Sequence, residues 1–457
     1  MTSGPLRRGD AASVHGVSLL TTFLVLLLVL PARLVVAPLG GAGSPAQLVG
    51  LVCLLAAAFV GLNRWRDAAY RAGPVAVAML GFVLTIFASY LAANLRPLDG
   101  VELLAADRGI LQALSWLGVL LVASGSIQSV GHLERLLRRL VVAGGGLGLL
   151  GVLQFVTHKP LVDYIVIPGL SLNSAILGVP SRNGYARPAA TSVHPIEFGV
   201  VLTIVLPMAL HFALCDAHRP AWRRWWPVVA VAAAIPLAIS RSALLGTVVV
   251  LLVLLPTWSR RRRRACYAAV LLAVALVYAL VPGLLGTLQG LFTGISSDDS
   301  ALSRTNSYTL AFSFIARSPM FGRGVSTFLP SYRILDNQFL LTVIETGVVG
   351  VTALVLLFVT AGYCLRAVVR LRSAITTVSL AHSLTAALAA ALSSFFFFDA
   401  LSFPQVSGLT FLLIGAAGAV HRQGAAPAGA QLSPTWFDLD RVGAGASFRP
   451  EEPTTSR

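Results

Sequence analysis

Charged residues are scarce in this sequence. They make up 11% of its 457 residues, whereas ordinary soluble domains carry about 25%. A chain of this length with so little charge cannot cover a water-facing surface, and this excludes a soluble enzyme. The net charge of +16 could by itself suggest a nucleic-acid binder. That class is excluded too, because the basic residues lie mostly in short loops between apolar runs, as the positive-inside rule requires.

The motifs of several common enzyme classes are also missing. No Walker loop, Rossmann glycine pattern, HExxH or GxSxG occurs, and the glycine run at 144–148 lies inside an apolar run, where it favours close helix packing. The four cysteines show no CxxC or zinc spacing. We therefore expect no disulfide framework and no bound metal.

Long apolar runs recur from Leu19 to Val420. Each can cross a hydrocarbon core of about 30 Å, which takes about 20 helical residues, and the runs lack the alternating period of barrel strands. The expected fold class is an all-α polytopic membrane protein of about 12 transmembrane helices, with a long extracytoplasmic loop before the last three. The predicted spans are 17–37, 46–63, 74–92, 109–128, 139–157, 196–214, 226–240, 243–258, 266–286, 338–365, 374–397 and 404–420.

The distribution of arginine predicts the topology. Short basic loops, above all Arg260 to Arg264, should be cytoplasmic together with both termini. Residues 1–420 then form a single transmembrane domain with extracytoplasmic loops at about 158–195 and 287–337. Within the second loop, segment 307–316 could form a helix lying on the membrane surface. Residues 421–457, rich in Ala, Gly, Pro and Ser, are expected to be a disordered cytoplasmic tail.

A polar pair, Asp336 and Asn337, precedes the tenth predicted span, with Gly347 and Gly350 a few turns in. This segment resembles the signature of the O-antigen ligase and O-antigen polymerase superfamily, in which a His-Asn pair is followed by Gly-x-x-Gly. Asp336 stands where the ligases have the His that is their proposed catalytic residue. An acidic residue there is more similar to the polymerase side of the superfamily or to divergent relatives.

Three further stretches resemble the family and come in the expected order. They are Arg187-Pro188 with His194-Pro195, the turn Ser240-Arg241-Ser242-Ala243-Leu244-Leu245-Gly246, and Ser303-Arg304 followed by Ser318-Pro319-Met320-Phe321-Gly322-Arg323-Gly324. With the Asp336 segment, the resemblance covers about residues 187–350. The spans before it and the tail after it add nothing distinctive.

The resemblance implies a multi-pass enzyme of the cytoplasmic (inner) membrane that acts in cell-surface polysaccharide biosynthesis. Such a glycosyltransferase transfers or polymerises a glycan from an undecaprenyl-diphosphate carrier on the outer face of that membrane. Its partners are the lipid-linked donor, a glycan or other hydroxyl acceptor, and the lipid bilayer. It needs no nucleotide sugar, no metal and no cofactor.

Roles for individual residues follow from this resemblance. Arg187, Arg241 and Arg304 would bind the diphosphate, since the planar guanidinium pairs bidentately with phosphate. Asp336 would orient the acceptor hydroxyl or accept its proton as the catalytic residue. His194 and Asn337 are further candidate substrate contacts.

Structural roles are open for the same residues. Arg241 could snorkel to the interface, and Asp336 could cap the helix that it precedes. His194 could cap or pack. Arg323 is expected to be solvated or structural, and Asp399, which opens the last outer turn, is expected to be structural.

A different function class also remains open. A transporter or flippase for a lipid-linked glycan or small solute would share the span count, and intramembrane charges mark the paths of such proteins. Two features argue against it: no inverted repeat is visible, and the charges cluster in outer loops.

Overall fold

The computed structural model describes residues 8–64, 73–173, 178–293, 299–371 and 374–424, without the side chains of residues 8–14, 63–64 and 299–307. The helices are α1 (Arg8–Leu28), α2 (Pro45–Arg64), α3 (Pro74–Asn94), α4 (Gly100–Ser126), α5 (Val130–Thr157), α6 (Pro195–Cys215), α7 (Ala221–Leu237), α8 (Arg241–Leu254), α9 (Arg260–Leu280), α10 (Leu284–Thr293), α11 (Asp299–Arg317), α12 (Gln338–Arg370), α13 (Ile375–Ser394) and α14 (Pro404–Gly424). The strands are β1 (Leu34–Val36), β2 (Leu170–Leu172), β3 (Ser181–Arg182) and β4 (Tyr185–Ala186), and short 3₁₀ helices cover Ala37–Ala42, Leu255–Thr257 and Ala400–Ser402.

The fold class is all-α and polytopic, as predicted. Every predicted span overlaps one helix of the structure, and among the described residues eight helices are long and apolar enough to cross a membrane by length and composition. The total number of crossings stays a prediction. Residues up to Gly424 form one unit. The predicted tail begins within the last turn of α14, and its residues 425–457 lie outside the described residues.

Burial differs sharply between the helices. Helix α6 lies in the middle of the bundle and is buried along almost its whole length. By contrast, none of the residues of α9, all of which the structure describes, is buried. Helix α9 therefore lies at the periphery, and its C-terminal end packs against a small cluster of apolar side chains.

The predicted C-terminal end of the first span, 17–37, is wrong. Helix α1 stops at Leu28, and the chain after Pro31 forms strand β1, which pairs antiparallel with β2 in the loop after α5. Arg33 explains the difference, because its guanidinium donates to Asp163 Oδ1 at 3.2 Å and to the Val193 carbonyl at 3.1 Å. A paired, buried arginine marks the start of the loop region and not the inside of a span.

The segment 287–337 contains more structure than an extended loop. Helix α10 begins before it and α11 lies inside it, so the prediction of a helix at 307–316 is confirmed. Its placement on the membrane surface stays a prediction.

Helix α12 is broken at Gly347. This glycine has φ +70°, a value in the left-handed region that favours glycine. The segment 319–324 fills the break with four backbone hydrogen bonds, donors first: Arg323 to Ile344 (2.8 Å), Gly324 to Glu345 (2.9 Å), Val348 to Pro319 (2.9 Å) and Val349 to Met320 (3.3 Å). The two glycine-containing stretches that resemble the family are therefore partners in one structural feature.

Candidate functional site

The loops before α6, α8, α12 and α14 meet at one end of the helix bundle, here called the site end. Backbone hydrogen bonds tie them together, from Ala32 to the Thr191 carbonyl at 2.8 Å and from Gln338 to the Phe395 carbonyl at 2.8 Å. The Glu197 carboxylate at the start of α6 accepts the backbone N–H of Gln405 at 2.7 Å. Most of the residues chosen from the sequence lie at this end.

The turn between α7 and α8 connects Arg187, which contacts it, with Arg241, which follows it. Arg187 Nε donates to the Ala238 carbonyl at 3.2 Å. Arg241 is the first residue of α8, and its Nε donates to the Leu291 carbonyl of α10 at 2.5 Å. Between them, Ile239 has φ +46°, a rare conformation for a β-branched residue. Such strained backbone is common at functional sites.

Arg187 and His194 are largely buried and have arginine neighbours. Burial, together with the nearby charge of Arg182, lowers the pKa of Arg187 to about 10, so the guanidinium stays charged at neutral pH. Burial lowers the pKa of His194 to about 4, with further contributions from Arg187 and Arg33. We call Arg33, Arg187 and His194 the arginine cluster, and the contact of Arg187 with the Ala238 carbonyl joins it to the turn that precedes Arg241. Two arginines that disfavour protonation of the histidine between them would favour a bound anion.

His194 also has a structural role. It caps α6, because its Nδ1 accepts the backbone N–H of Ile196 at 3.2 Å. A neutral ring that accepts at Nδ1 carries its proton at Nε2. His194 therefore offers one N–H donor beside the arginines, and its ring centroid lies 6.4 Å from that of Phe403.

Asp336 and Asn337 connect the 318–335 segment to α12. The Asn337 side chain caps α12, because its amide oxygen accepts the backbone N–H of Leu340 at 3.0 Å. That oxygen therefore already has a hydrogen-bond partner in the backbone. Asp336 is half-buried and has φ +49°, a conformation that Asp and Asn tolerate better than most residues. Arg304 belongs to α11, but its side chain lies outside the described residues, and its role stays a prediction.

Asp399 lies close to Asp336, which the sequence did not indicate. Burial, with a smaller contribution from the charge of Asp336, raises the pKa of Asp399 to about 6 against hydrogen bonds that include one with Ser402. Gln338 ties the turn that carries Asp399 to the start of α12, since its Oε1 accepts the backbone N–H of Leu401 at 2.8 Å. The one available signal was an acidic residue in an apolar stretch between two spans, which is costly without a role.

A cavity of about 430 Å³ lies beside this acidic pair. It is bounded by α3, α4, the segment 325–335, the start of α12 and the turn at 399–402. Two carboxylates, Glu345 and Asp399, and two arginines, Arg108 and Arg333, line it together with aromatic and aliphatic side chains. The cavity can therefore take a ligand that has both polar groups and apolar surface.

Arg323, in contrast, is structural, as expected. Its guanidinium contacts Glu102 and donates to Tyr332 Oη at 3.3 Å, and it lies over the Phe314 ring at 5.0 Å. These contacts hold the segment 319–324 against α4. Among the described residues, no group of three His, Cys, Asp or Glu side chains is arranged to hold a metal ion.

Residues 226–355 match the family model described as O-antigen ligase. The match includes Arg241, Asp336 and Gly347 but ends short of Arg187 and His194 on the N-terminal side. No curated protein matches the chain. The match confirms the resemblance to the O-antigen ligase and polymerase superfamily, and it supports a role as a membrane glycan ligase or polymerase.

Proposed function

We propose that this chain, with its O-antigen ligase segment, is a glycosyltransferase of the inner membrane that uses an undecaprenyl-diphosphate-linked glycan as donor. The acceptor hydroxyl attacks the anomeric carbon of the donor sugar. A new C–O bond forms, the bond from that carbon to the diphosphate oxygen breaks, and the diphosphate leaves with the electron pair. The hydroxyl proton passes to a carboxylate.

The presence of two arginines, Arg187 and Arg241, at the turn between α7 and α8 is the observation that carries this proposal. A lipid diphosphate concentrates negative charge, and arginine forks bind phosphate oxygens bidentately. The neutral His194 ring adds an N–H donor, and Arg304 would complete the set from α11. In this partly dehydrated place, the cations would stabilise the charge that develops on the departing diphosphate.

Asp336 is the proposed proton acceptor. It lies at the site end near Asp399, whose pKa of about 6 keeps part of the pair protonated near neutral pH. A carboxylate with a close acidic neighbour is a suitable base, because a proton gained by one relieves the repulsion with the other. Asp399 would then help to hold the transferred proton.

A transporter or flippase is the second candidate, favoured by the break in α12, since broken helices form the substrate sites of many transporters. Here, however, four of the backbone groups at the break bond to the segment 319–324. Backbone groups that are already paired do not coordinate a passing solute. The enzyme therefore remains the better proposal.

Replacement of Asp336 by Asn tests the assignment. Asn keeps the shape, tolerates the left-handed backbone and removes the base, so transfer should fall by about 10²–10⁴-fold while donor binding is retained. The assay is transfer by purified full-length protein from a lipid-diphosphate glycan, alongside donor binding. Near-normal transfer would show that Asp336 serves the backbone turn alone, and joint loss of transfer and donor binding would assign it to folding or donor recognition.

A further inference from the structure

We propose that Glu197 is a positioning residue for the arginine cluster. Together with Gln405 at the start of the last helix, it holds Arg187 and His194 in the geometry that binds the donor diphosphate. This inference rests on the proposed function, and it assigns a part of the site that lies on either side of the matched segment 226–355.

The Glu197 carboxylate connects two helices inside the protein. It belongs to the first turn of α6 and is fully buried. Its Oε2 accepts the backbone N–H of Val193 at 2.8 Å, and its Oε1 accepts that of Gln405 at 2.7 Å, while the N–H of Val406 bonds to the same carboxylate. The first N–H groups of a helix have no acceptor within that helix. Glu197 therefore caps α14 from α6, and its negative charge suits the positive end of the helix dipole.

The segment 188–193 lies between Arg187 and His194, and its last four residues are each bonded to a different helix. The donors and acceptors are Ala190 N–H to Gln154 Oε1 in α5 (2.8 Å), Thr191 Oγ1 to the Leu28 carbonyl of α1 (2.6 Å), Ser192 Oγ to Gln405 Oε1 in α14 (2.5 Å), and Val193 N–H to Glu197 in α6. Ala190 has φ +48°, a conformation that persists in a non-glycine residue only where its surroundings enforce it. The segment is therefore fixed on all sides.

The residue before His194 is held at both of its backbone groups. The Val193 N–H bonds to Glu197, and its carbonyl accepts a hydrogen bond from the Arg33 guanidinium at 3.1 Å. Arg33 is also near enough for its charge to act on the Glu197 carboxylate. Glu197 thus has direct links to the segment that carries the arginine cluster and to the cluster itself.

A carboxylate at this position does what an amide cannot do. Burial of a charge is costly, and a single acceptor would be enough for a simple helix cap. Two equivalent acceptor oxygens are needed to bond to Val193 on one side and to α14 on the other. Glu197→Gln leaves one acceptor and places an NH₂ group against a backbone N–H, so one side is released. Arg187 and His194 would then have to be ordered when the donor binds, and this lowers affinity.

The test measures binding of two probes to the folded, monodisperse fraction of purified full-length protein. The first probe is the producing strain's own lipid-diphosphate glycan, and the second is undecaprenyl diphosphate without the glycan. We expect Glu197→Gln to weaken binding of both probes by about tenfold or more, the effect of one additional side chain that must be ordered. Ser192→Ala removes a single hydroxyl from the segment and should weaken both several-fold.

A matched control and a double-mutant cycle separate positioning from stability. Thr410→Val removes a buried hydroxyl of α14 that bonds only within its helix, to the Val406 carbonyl at 2.7 Å, so donor binding should be unchanged. In an Arg187→Gln background, Glu197→Gln and Ser192→Ala should lose most of their effect on donor binding, because that effect acts through the arginine cluster. A purely structural role would lower the unfolding midpoint and leave the affinity of the folded fraction unchanged.

Several outcomes would overturn the positioning role alone. They are wild-type affinity in Ser192→Ala and in any Glu197→Gln protein that folds, full additivity with Arg187→Gln, or a loss confined to the glycan-linked probe. If Glu197→Gln does not fold, Ser192→Ala decides the question. Failure of the wild type to bind either lipid diphosphate would instead overturn the proposed function.

Discussion

The low pKa of His194 has burial as its main cause, with further contributions from the charges of Arg187 and Arg33. Its pKa falls from 6.5 in an open environment to about 4 in the folded protein. Between these values the unfolded chain binds a proton that the folded protein does not. The free energy of unfolding should therefore fall as the pH falls from 6.5 towards 4.

The size of the effect follows from the difference between the two pKa values. Each unit corresponds to about 1.4 kcal/mol, so acidification from pH 6.5 to pH 5 should cost the wild type about 2 kcal/mol from this ring. His194→Asn removes the titrating group and keeps a good helix cap for α6. We expect the variant to lose less stability than the wild type over this range, by about that amount.

Unfolding of both proteins in the same detergent at pH 7, 6 and 5 measures the difference. Arg187→Gln removes one of the charges that lower the pKa of His194, so it should reduce the pH dependence of the wild-type ring. A bound lipid diphosphate should act in the same direction, because a nearby anion favours the protonated ring. Parallel pH curves for wild type and His194→Asn would refute the low pKa. An unchanged pH dependence in Arg187→Gln would refute the contribution of the positive charge.

Three other predictions concern the donor site, the broken helix and the topology. Arg241→Lys keeps the charge but loses the guanidinium fork, so transfer should fall at least tenfold with normal expression; wild-type transfer would reduce Arg241 to a helix anchor. Gly347→Ala should destabilise the protein by about 2 kcal/mol or more, because the added Cβ would overlap the Met320 carbonyl and the φ at this position disfavours alanine. An unchanged unfolding midpoint would contradict the break in α12. Asn183 is exposed at the site end, so the cysteine of Asn183→Cys should react with an impermeant thiol reagent in intact cells. The cysteine of Trp222→Cys should react only after lysis, and the reverse pattern would invert the proposed orientation.

The positions of the helices were predictable because the length of an apolar run is a local property. The errors occur where distant contacts decide the structure. Strand β1 forms only because β2, more than a hundred residues later, supplies its partner. Helix α4 begins at Gly100 and not at 109, because Glu102, which a hydropathy criterion rejects, is paired with Arg96 and Arg323.

The candidate site shows the same division. Motif order indicated Arg187 and Arg241 separately, but their shared turn depends on how α7 meets α8. The spacing of Gly347 indicates a special position in α12. The break itself depends on a backbone angle, which hydropathy does not predict. Asp399 was assigned a structural role because only the packing of its turn against the start of α12 brings it near Asp336.

The contrast between α6 and α9 has a consequence for how this chain can diverge. Between the arginines at its start and the contacts at its C-terminal end, α9 has no buried residue, so an exchange there that preserves hydrophobicity and helix propensity leaves its surroundings intact. Helix α6 meets other side chains on all sides, and there even the loss of one methylene group leaves a void. Related chains should therefore drift fastest along α9 and stay closest along α6, and the rate of substitution should follow distance from the bundle centre and not hydropathy.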